Sequence, residues 1–259
     1  MHKEPPFTEV RNSTIDILMA HRSIRAFSSE RVTDDIMDTL FDVARHSATS
    51  AYLQQMSMIH VRDAQVRQEV AAVSGQPYVG GDRGELLIFV VDLYRNAQIR
   101  RRNGASITSL HRTNLFLQGC EDALISAQSV CVAAESLGLG TVYLGSIVSD
   151  PARMIEILHL PELTFPLVGM LVGYPDQEPQ FKPRLPSAVT VMTDSYDPID
   201  QESEAFRDYN DSVTHYYDLR DPSTPLTSFS HRISTLLGLG ASEQSEILDV
   251  LHRQGLCWK

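Results

Sequence analysis

The sequence predicts an α+β fold: a small central sheet buried between helices, followed by a C-terminal arm. Three observations predict it. Leu86 to Leu93 is a continuous apolar run, the pattern of a central strand covered on both faces. Asn114 to Leu137 reads as one long, largely apolar helix, apolar on more than one face and so buried at a core or a subunit contact. Strands and helices are mixed without strict βαβ alternation, which favours α+β over a doubly wound parallel sheet.

Each element has its own warrant. A first helix is expected from Ser13 to about Ala20, with Ser13 as N-cap and Ile15, Ile17, Leu18 and Met19 apolar. A second follows Thr33: Ile36, Met37, Leu40, Phe41, Val43 and Ala44 recur at helical spacing, and Asp34 and Asp35 suit its positive end. Ser57 to Val61 reads as a strand and Ala64 to Val73 as a helix. Tyr94 to about Ser109 is a polar insertion holding Arg100, Arg101 and Arg102. Gly138 ends the long helix in the C-cap role of glycine. Thr141 to Leu144 gives a strand, Pro151 to Leu158 a helix and Leu167 to Val172 another strand.

After Pro175 the composition changes, with Pro179, Pro183, Pro186 and Pro198 marking extended chain. Helices are expected over Asp200 to Leu219 and Ser242 to Gln254. The division is therefore a core over residues 1–175 and an extended and helical arm over residues 176–259, within one structural domain.

Composition narrows the function. With 42% hydrophobic residues in 259, the chain buries a full core and is not disordered. No apolar stretch approaches the ~18–20 residues of a membrane helix. The 22 Lys and Arg against 33 Asp and Glu give a formal charge of −11, which repels nucleic-acid backbones. An anionic ligand must therefore be held by a local cluster of positive groups. Cys120, Cys131 and Cys257 form no C-x-x-C, which argues against a disulfide framework or a zinc site. No apolar leader opens the sequence, so a reducing cytoplasm is expected. The motifs of P-loops, zinc proteases and serine-hydrolase elbows are missing, and Gly138 and Gly140 follow a helix instead of opening one, the reverse of a dinucleotide turn. Nothing selects a metal.

Two segments concentrate anion-binding groups: His21-Arg22-Ser23-Ile24-Arg25-Ala26-Phe27 and Lys182-Pro183-Arg184. Either alone is a weak signal, since a surface K-P-R is usually solvated; Arg and Lys supply forked and point-charge donors, so together the segments could make a phosphate clamp. The first resembles the opening motif of the nitroreductase superfamily of FMN enzymes, in its oxygen-insensitive, NADPH-dependent branch, which also includes flavin reductases. Collinear blocks carry the resemblance from Ile15 to Arg220: Ser50-Ala51-Tyr52-Leu53-Gln54, Gly75-Gln76, Ala133 to Gly140, Val142-Tyr143-Leu144-Gly145, Gly173-Tyr174-Pro175, Lys182 to Pro186 and Tyr216-Tyr217.

The resemblance implies a mostly antiparallel sheet and an intertwined homodimer, with FMN bound at the subunit interface by residues of both chains. His21, Lys182 and Arg184 would hold the phosphate, Ser23 the phosphate or ribityl chain, and Arg25 the N1/O2 edge of the flavin. A cation there favours the reduced ring, which carries negative charge near N1. Gln76 would bond the ring's polar edge, and Thr49 and Ser50 would lie near the cofactor. The Gly145 N–H would sit beside N5, walled by Tyr143, Leu144 and Ser146. Arg22 is divided between ligand contact and an ion pair; Ser50 can also be a cap, Tyr143 a packing residue and Gln76 part of a turn.

The implied activity is ping-pong hydride transfer from NADPH, with NADH possible, to nitroaromatic, quinone or flavin acceptors. Tyr52 matches an aromatic position at the acceptor pocket. Asn114 stands where relatives carry a Glu. Arg220 matches an NADPH-binding arginine, yet Asp221-Pro222-Ser223-Thr224 replaces the basic cluster that follows it in relatives. Two alternatives stay open: a flavin or disulfide reductase with incidental nitroreductase activity, and a non-catalytic flavin-binding or redox-sensing protein.

Overall fold

Residues 9–216, 226–238 and 245–259 are described by a computed structural model. At its centre is the strand foreseen from the apolar run, β2 (Glu85–Asp92), flanked by β1 (Met56–Val61) and β4 (Thr164–Gly173), with β3 (Gly140–Leu144) beyond β4. The spatial order is β1-β2-β4-β3, and every pairing is antiparallel. Alternation along β2 builds two cores at once. Leu86, Ile88 and Val90 pack on one face with Val70 and Ala71 of α3 (Ala64–Ser74) and Met154 and Ile157 of α6 (Pro151–Ile157). Leu87 and Phe89 pack on the other with Met37, Leu40 and Ala44 of α2 (Asp34–Arg45) and Ala123, Ala127 and Val130 of α5 (Thr113–Ser136). The result is a sheet sandwiched between helices.

Caps explain several boundaries. Thr33 accepts from Ile36 N and starts α2, as the sequence indicates. For α1 (Ser13–Ala20) the cap is Asn12, not Ser13: its side chain accepts from Ile15 N at 2.9 Å. Both residue types cap well, so sequence alone does not choose between them. Gly138, at φ +79°, terminates α5 in the left-handed conformation.

The segment after β2 is not wholly irregular. Its first part forms α4 (Tyr94–Arg102), whose polar composition hid the helix because few of its residues are buried. Arg100, Arg101 and Arg102 all lie in its last turn, where cations suit the helix dipole.

The chain divides into two units, one of Val10–Glu178 with Ser245–Lys259, the other including Pro179–Gln244. In the first, α10 (Ile247–Arg253) packs on α6, and Trp258 stacks on His111 with ring centroids 4.2 Å apart. The expected helix over Ser242 to Gln254 is thus shorter among the described residues. In the second unit lie α7 (Ser187–Thr190), α8 (Glu204–Thr214) and α9 (Phe229–Leu236). Helix α8 covers only part of Asp200 to Leu219. Helix α9, which the sequence reading lacked, is short and packs its Phe229 edge-on against Tyr209, 5.3 Å between centroids. No described helix is long and apolar enough to cross a membrane.

Candidate active site

From the end of α1 the chain turns at His21 and runs beside the outer edge of β3. Ser23 forms a parallel bridge with Thr141, and Ile24 N donates to Thr141 O at 2.8 Å. Phe27 bridges Pro175. The approach is close: a Cβ on Gly140 would lie 2.6 Å from Ile24 Cγ1, so only glycine fits there. This contact covers the sheet edge and lays the His21–Arg25 motif along it.

His21 enters a polar cluster between α5 and β3. Its Nδ1 lies 2.7 Å from Glu135 Oε1, and Thr141 Oγ1 donates to the same oxygen at 2.9 Å. Cys131 Sγ is 3.2 Å from Thr141 Oγ1 and 3.9 Å from His21 Nδ1. Hydrogen bonds to Cys131 and Glu135 raise the His21 imidazole to about 10, overcoming the opposing effect of burial. Arg22 pairs with Glu178 at 3.7 Å, the ion-pair role weighed for it. Ser23 and Arg25 are half-buried.

At the far end of β3, Tyr143 directs its hydroxyl to Gln128 Oε1 at 3.0 Å and packs against the α2/α5 core. Burial pushes its phenol well above the ordinary range. Leu144 is buried. What these two leave for a ligand is backbone. The chain then enters a 3-10 turn over Gly145–Val148, starting with Gly145 and Ser146. A Cβ added to Gly145 would meet nothing within 4 Å, so its surface is open. Helix α3 packs on this turn, and Gln76 follows α3 after Gly75, whose φ is +62°.

The other expected residues gather elsewhere. Asp122 of α5, only 2% exposed, accepts from Thr49 Oγ1 at 2.6 Å, Ser50 N at 2.8 Å and Gln55 N at 2.9 Å. From outside, Arg95 donates to the carbonyls of Gln54 and Met56 at 2.9 Å, and Asn96 to that of Leu53 at 3.1 Å. Between these anchors Ala51, Tyr52 and Gln54 take positive φ of 49°, 58° and 51°. Such backbone persists only where surroundings over-determine it. The loop presents Tyr52, 81% exposed. Asn114 is exposed in the first turn of α5.

Asp122 and Glu135 are thirteen positions apart on one helix, so the Thr49–Tyr52 loop and the His21 cluster attach roughly 20 Å apart along it. Lys182 and Arg184 are exposed in the other unit, where Arg184 donates to Lys182 O at 3.0 Å. Arg220 lies outside the described residues, as does Tyr217.

Asp122, Glu135, Thr141 and Arg95 were not singled out from the sequence. A signal existed for two of them. Asp122 and Glu135 are carboxylates in an apolar helix, and buried carboxylates need donors.

The sheet, the motif along its edge and the loop anchored on Asp122 define an α+β scaffold built around α5 and β3. The chain belongs to the nitroreductase family, whose model matches residues 18–174, with the model of that family's C-terminal domain matching residues 182–259; it is an oxidoreductase of that type. It is 34% identical to an NADPH-dependent oxidoreductase of Staphylococcus saprophyticus over 248 residues, covering 94% of this chain and 98% of the relative. An NADPH-flavin oxidoreductase of Vibrio harveyi is 34% identical, over 95% and 98%. Among solved structures, nitroreductase A of Vibrio parahaemolyticus superposes with a TM-score of 0.84 at 33% identity, over 96% of this chain and all of that one.

Proposed function

We propose that the protein is an FMN-dependent NADPH oxidoreductase that acts as a homodimer. One observation carries this reading: the His21–Arg25 motif is laid along β3, whose end opens at an uncovered Gly145. Bound FMN would carry two electrons, as hydride, from NADPH to a nitroaromatic, quinone or flavin acceptor in a ping-pong cycle.

The residues present fit that cofactor. His21 offers a cation for phosphate, with Ser23 close to it in the chain, and Lys182 and Arg184 are the further cations that the family resemblance assigns to that group. Arg25 supplies fixed positive charge for the ring edge that becomes anionic on reduction. Gln76 offers an amide to the ring's polar edge. The absence of a side chain at Gly145 leaves its backbone N–H accessible to a flat ring, with the backbone of Tyr143 and Leu144 and the residue Ser146 beside it. No covalent nucleophile is needed; the chain binds, orients and supplies charge.

The separation along α5 of the Thr49–Tyr52 loop and the His21 cluster, two half-sites in this reading, supports homodimerisation. Thr49, Ser50 and Tyr52 of one protomer would complete the site formed by His21, Ser23 and Arg25 of its partner. Leu117, Leu124 and Ile125 of α5 keep 53%, 49% and 44% of their surface exposed, an apolar ridge on the helix that joins the half-sites. The relatives' use of NADPH supports that donor, and Arg220 is the residue proposed to meet its 2′-phosphate.

Stopped-flow mixing of FMN-loaded protein with NADPH and NADH, read at the flavin absorbance before a panel of acceptors, tests the proposal. Rapid bleaching by NADPH and reoxidation by quinone or nitroaromatic are expected. Flavin that neither donor reduces would overturn the reading in favour of a flavin store. Arg184→Ala should release FMN. Arg220→Ala should raise KM for NADPH and leave FMN bound; unchanged kinetics with both donors would remove that assignment.

A further inference from the structure

The cluster behind His21 has a direction. Nδ1 faces Glu135 at 2.7 Å, while Nε2 makes no hydrogen bond among the described residues. Glu135 is held in turn, its Oε1 also accepting from Thr141 Oγ1 at 2.9 Å. Thr141 is fully buried in β3, and its carbonyl takes the Ile24 N–H at 2.8 Å. The hydrogen-bonded chain thus runs from β3 through Glu135 to one nitrogen of an imidazole whose other nitrogen has no partner among the described residues.

We propose that Glu135 is a positioning residue: it fixes the His21 ring, holds it as imidazolium, and thereby makes Nε2–H a charged donor for a phosphate. This rests on the reading of His21 as a phosphate-binding residue and deepens it. In a chain of net charge −11 a phosphate needs a cation that does not switch off near neutrality. An unassisted histidine, at about 6.5, would be mostly neutral there.

Cys131 is the competing explanation. It stands one turn before Glu135 on the same face of α5, and its hydrogen bond is the larger of the two that raise the imidazole. Geometry favours the carboxylate. Sulfur at 3.9 Å is a long contact with a weak acceptor, whereas Glu135 is a charged acceptor at 2.7 Å. The other titratable groups nearby do not replace it. Arg22 pairs with Glu178, and Tyr143, raised by its burial first and then by Cys131 and Glu135, stays neutral and bonds Gln128. The donor atoms of His21, Cys131 and Glu135 lie within 4.8 Å of one another.

The test compares wild type, Glu135→Gln, Glu135→Asp and Cys131→Ala as full-length holoenzymes between pH 5.5 and 9. Two quantities are read: the FMN dissociation constant, from the fluorescence of released flavin, and the protonation of His21, from its ring ¹⁵N signals assigned with His21→Asn. Wild type should bind FMN equally across the range. Glu135→Gln should weaken binding roughly ten- to hundredfold at pH 8, the size of a lost charged hydrogen bond, and recover most of it at pH 5.5. Its His21 signals should titrate near or below pH 6.5. Glu135→Asp should restore part of the alkaline affinity, and Cys131→Ala should keep the wild-type profile.

A pH-independent loss in Glu135→Gln, or His21 still protonated at pH 8 in that variant, overturns the proposal. So does a Cys131→Ala profile matching the one expected of Glu135→Gln. If the His21 signals shift as expected while FMN affinity does not follow, Glu135 does control the ring and the phosphate role of His21 fails instead. The two failures are therefore separable.

Discussion

Gln55 carries the clearest local conflict in the molecule. Its side chain is fully buried, and neither its amide oxygen nor its amide nitrogen has a partner among the described residues. Its backbone, by contrast, is well used, donating to Asp122 and accepting from Asp92 N at 3.0 Å. Replacing an unsatisfied buried amide by an apolar group of similar length removes the desolvation penalty. Gln55→Met should therefore raise stability by about 1–3 kcal/mol in urea unfolding of the FMN-loaded protein. His21 makes a pH prediction of the opposite character. Its imidazole rises from 6.5 to about 10 through Cys131 and Glu135. A group raised in the folded state contributes stability that is complete below pH 6.5 and lost as pH climbs through 10. The gap in melting temperature between wild type and His21→Gln should shrink across that window; a constant gap would contradict it.

Among the elements, α5 organises the rest. Its inner face fills the core under β2, and its buried Asp122 and part-buried Glu135 hold the loop at one end and the imidazole at the other. Asp122→Ala would leave two backbone N–H groups and the Thr49 hydroxyl without their acceptor. The expected cost is about 3–5 kcal/mol, as for other broken buried charge networks. The strained Ala51–Gln54 stretch should then become a site of limited proteolysis. At β3, Gly140→Ala forces Ile24 away from the strand, because the new Cβ would sit 2.6 Å from Ile24 Cγ1. The His21–Arg25 motif would shift with it, so FMN retention should fall more than melting temperature does. Absorbance at the flavin band after gel filtration reads the first and calorimetry the second.

At the scale of the whole molecule, the proposed homodimer would bring together the two groups of residues that lie roughly 20 Å apart along α5. A charge on the apolar ridge, as in Leu124→Asp or Ile125→Asp, should yield monomers by analytical ultracentrifugation, and those monomers should have lost FMN together with NADPH oxidation. Monomers that retain FMN would show that one chain suffices.

Much of this architecture was legible in the sequence, for physical reasons. A strand buried on both faces must be continuously apolar, so β2 declared itself. Helix α2 showed its apolar spacing and α5 its long apolar run, and the charged segment from His21 stood out against an acidic chain. Helix α4 did not, since a helix that buries little leaves no apolar stripe to read. The cap of α1 moved by one residue because Asn12 and Ser13 are chemically equivalent there. What only the tertiary structure decided was pairing at a distance. Sequence placed a carboxylate at Glu135 and a histidine at His21, 114 positions apart, but hydrogen bonding depends on ångströms between atoms. That distance exists because the chain lies along β3 and Gly140 lets it approach. The same holds for Asp122 and its loop. The sequence by itself determined which groups are available and which faces are apolar; the fold alone determined which of them meet.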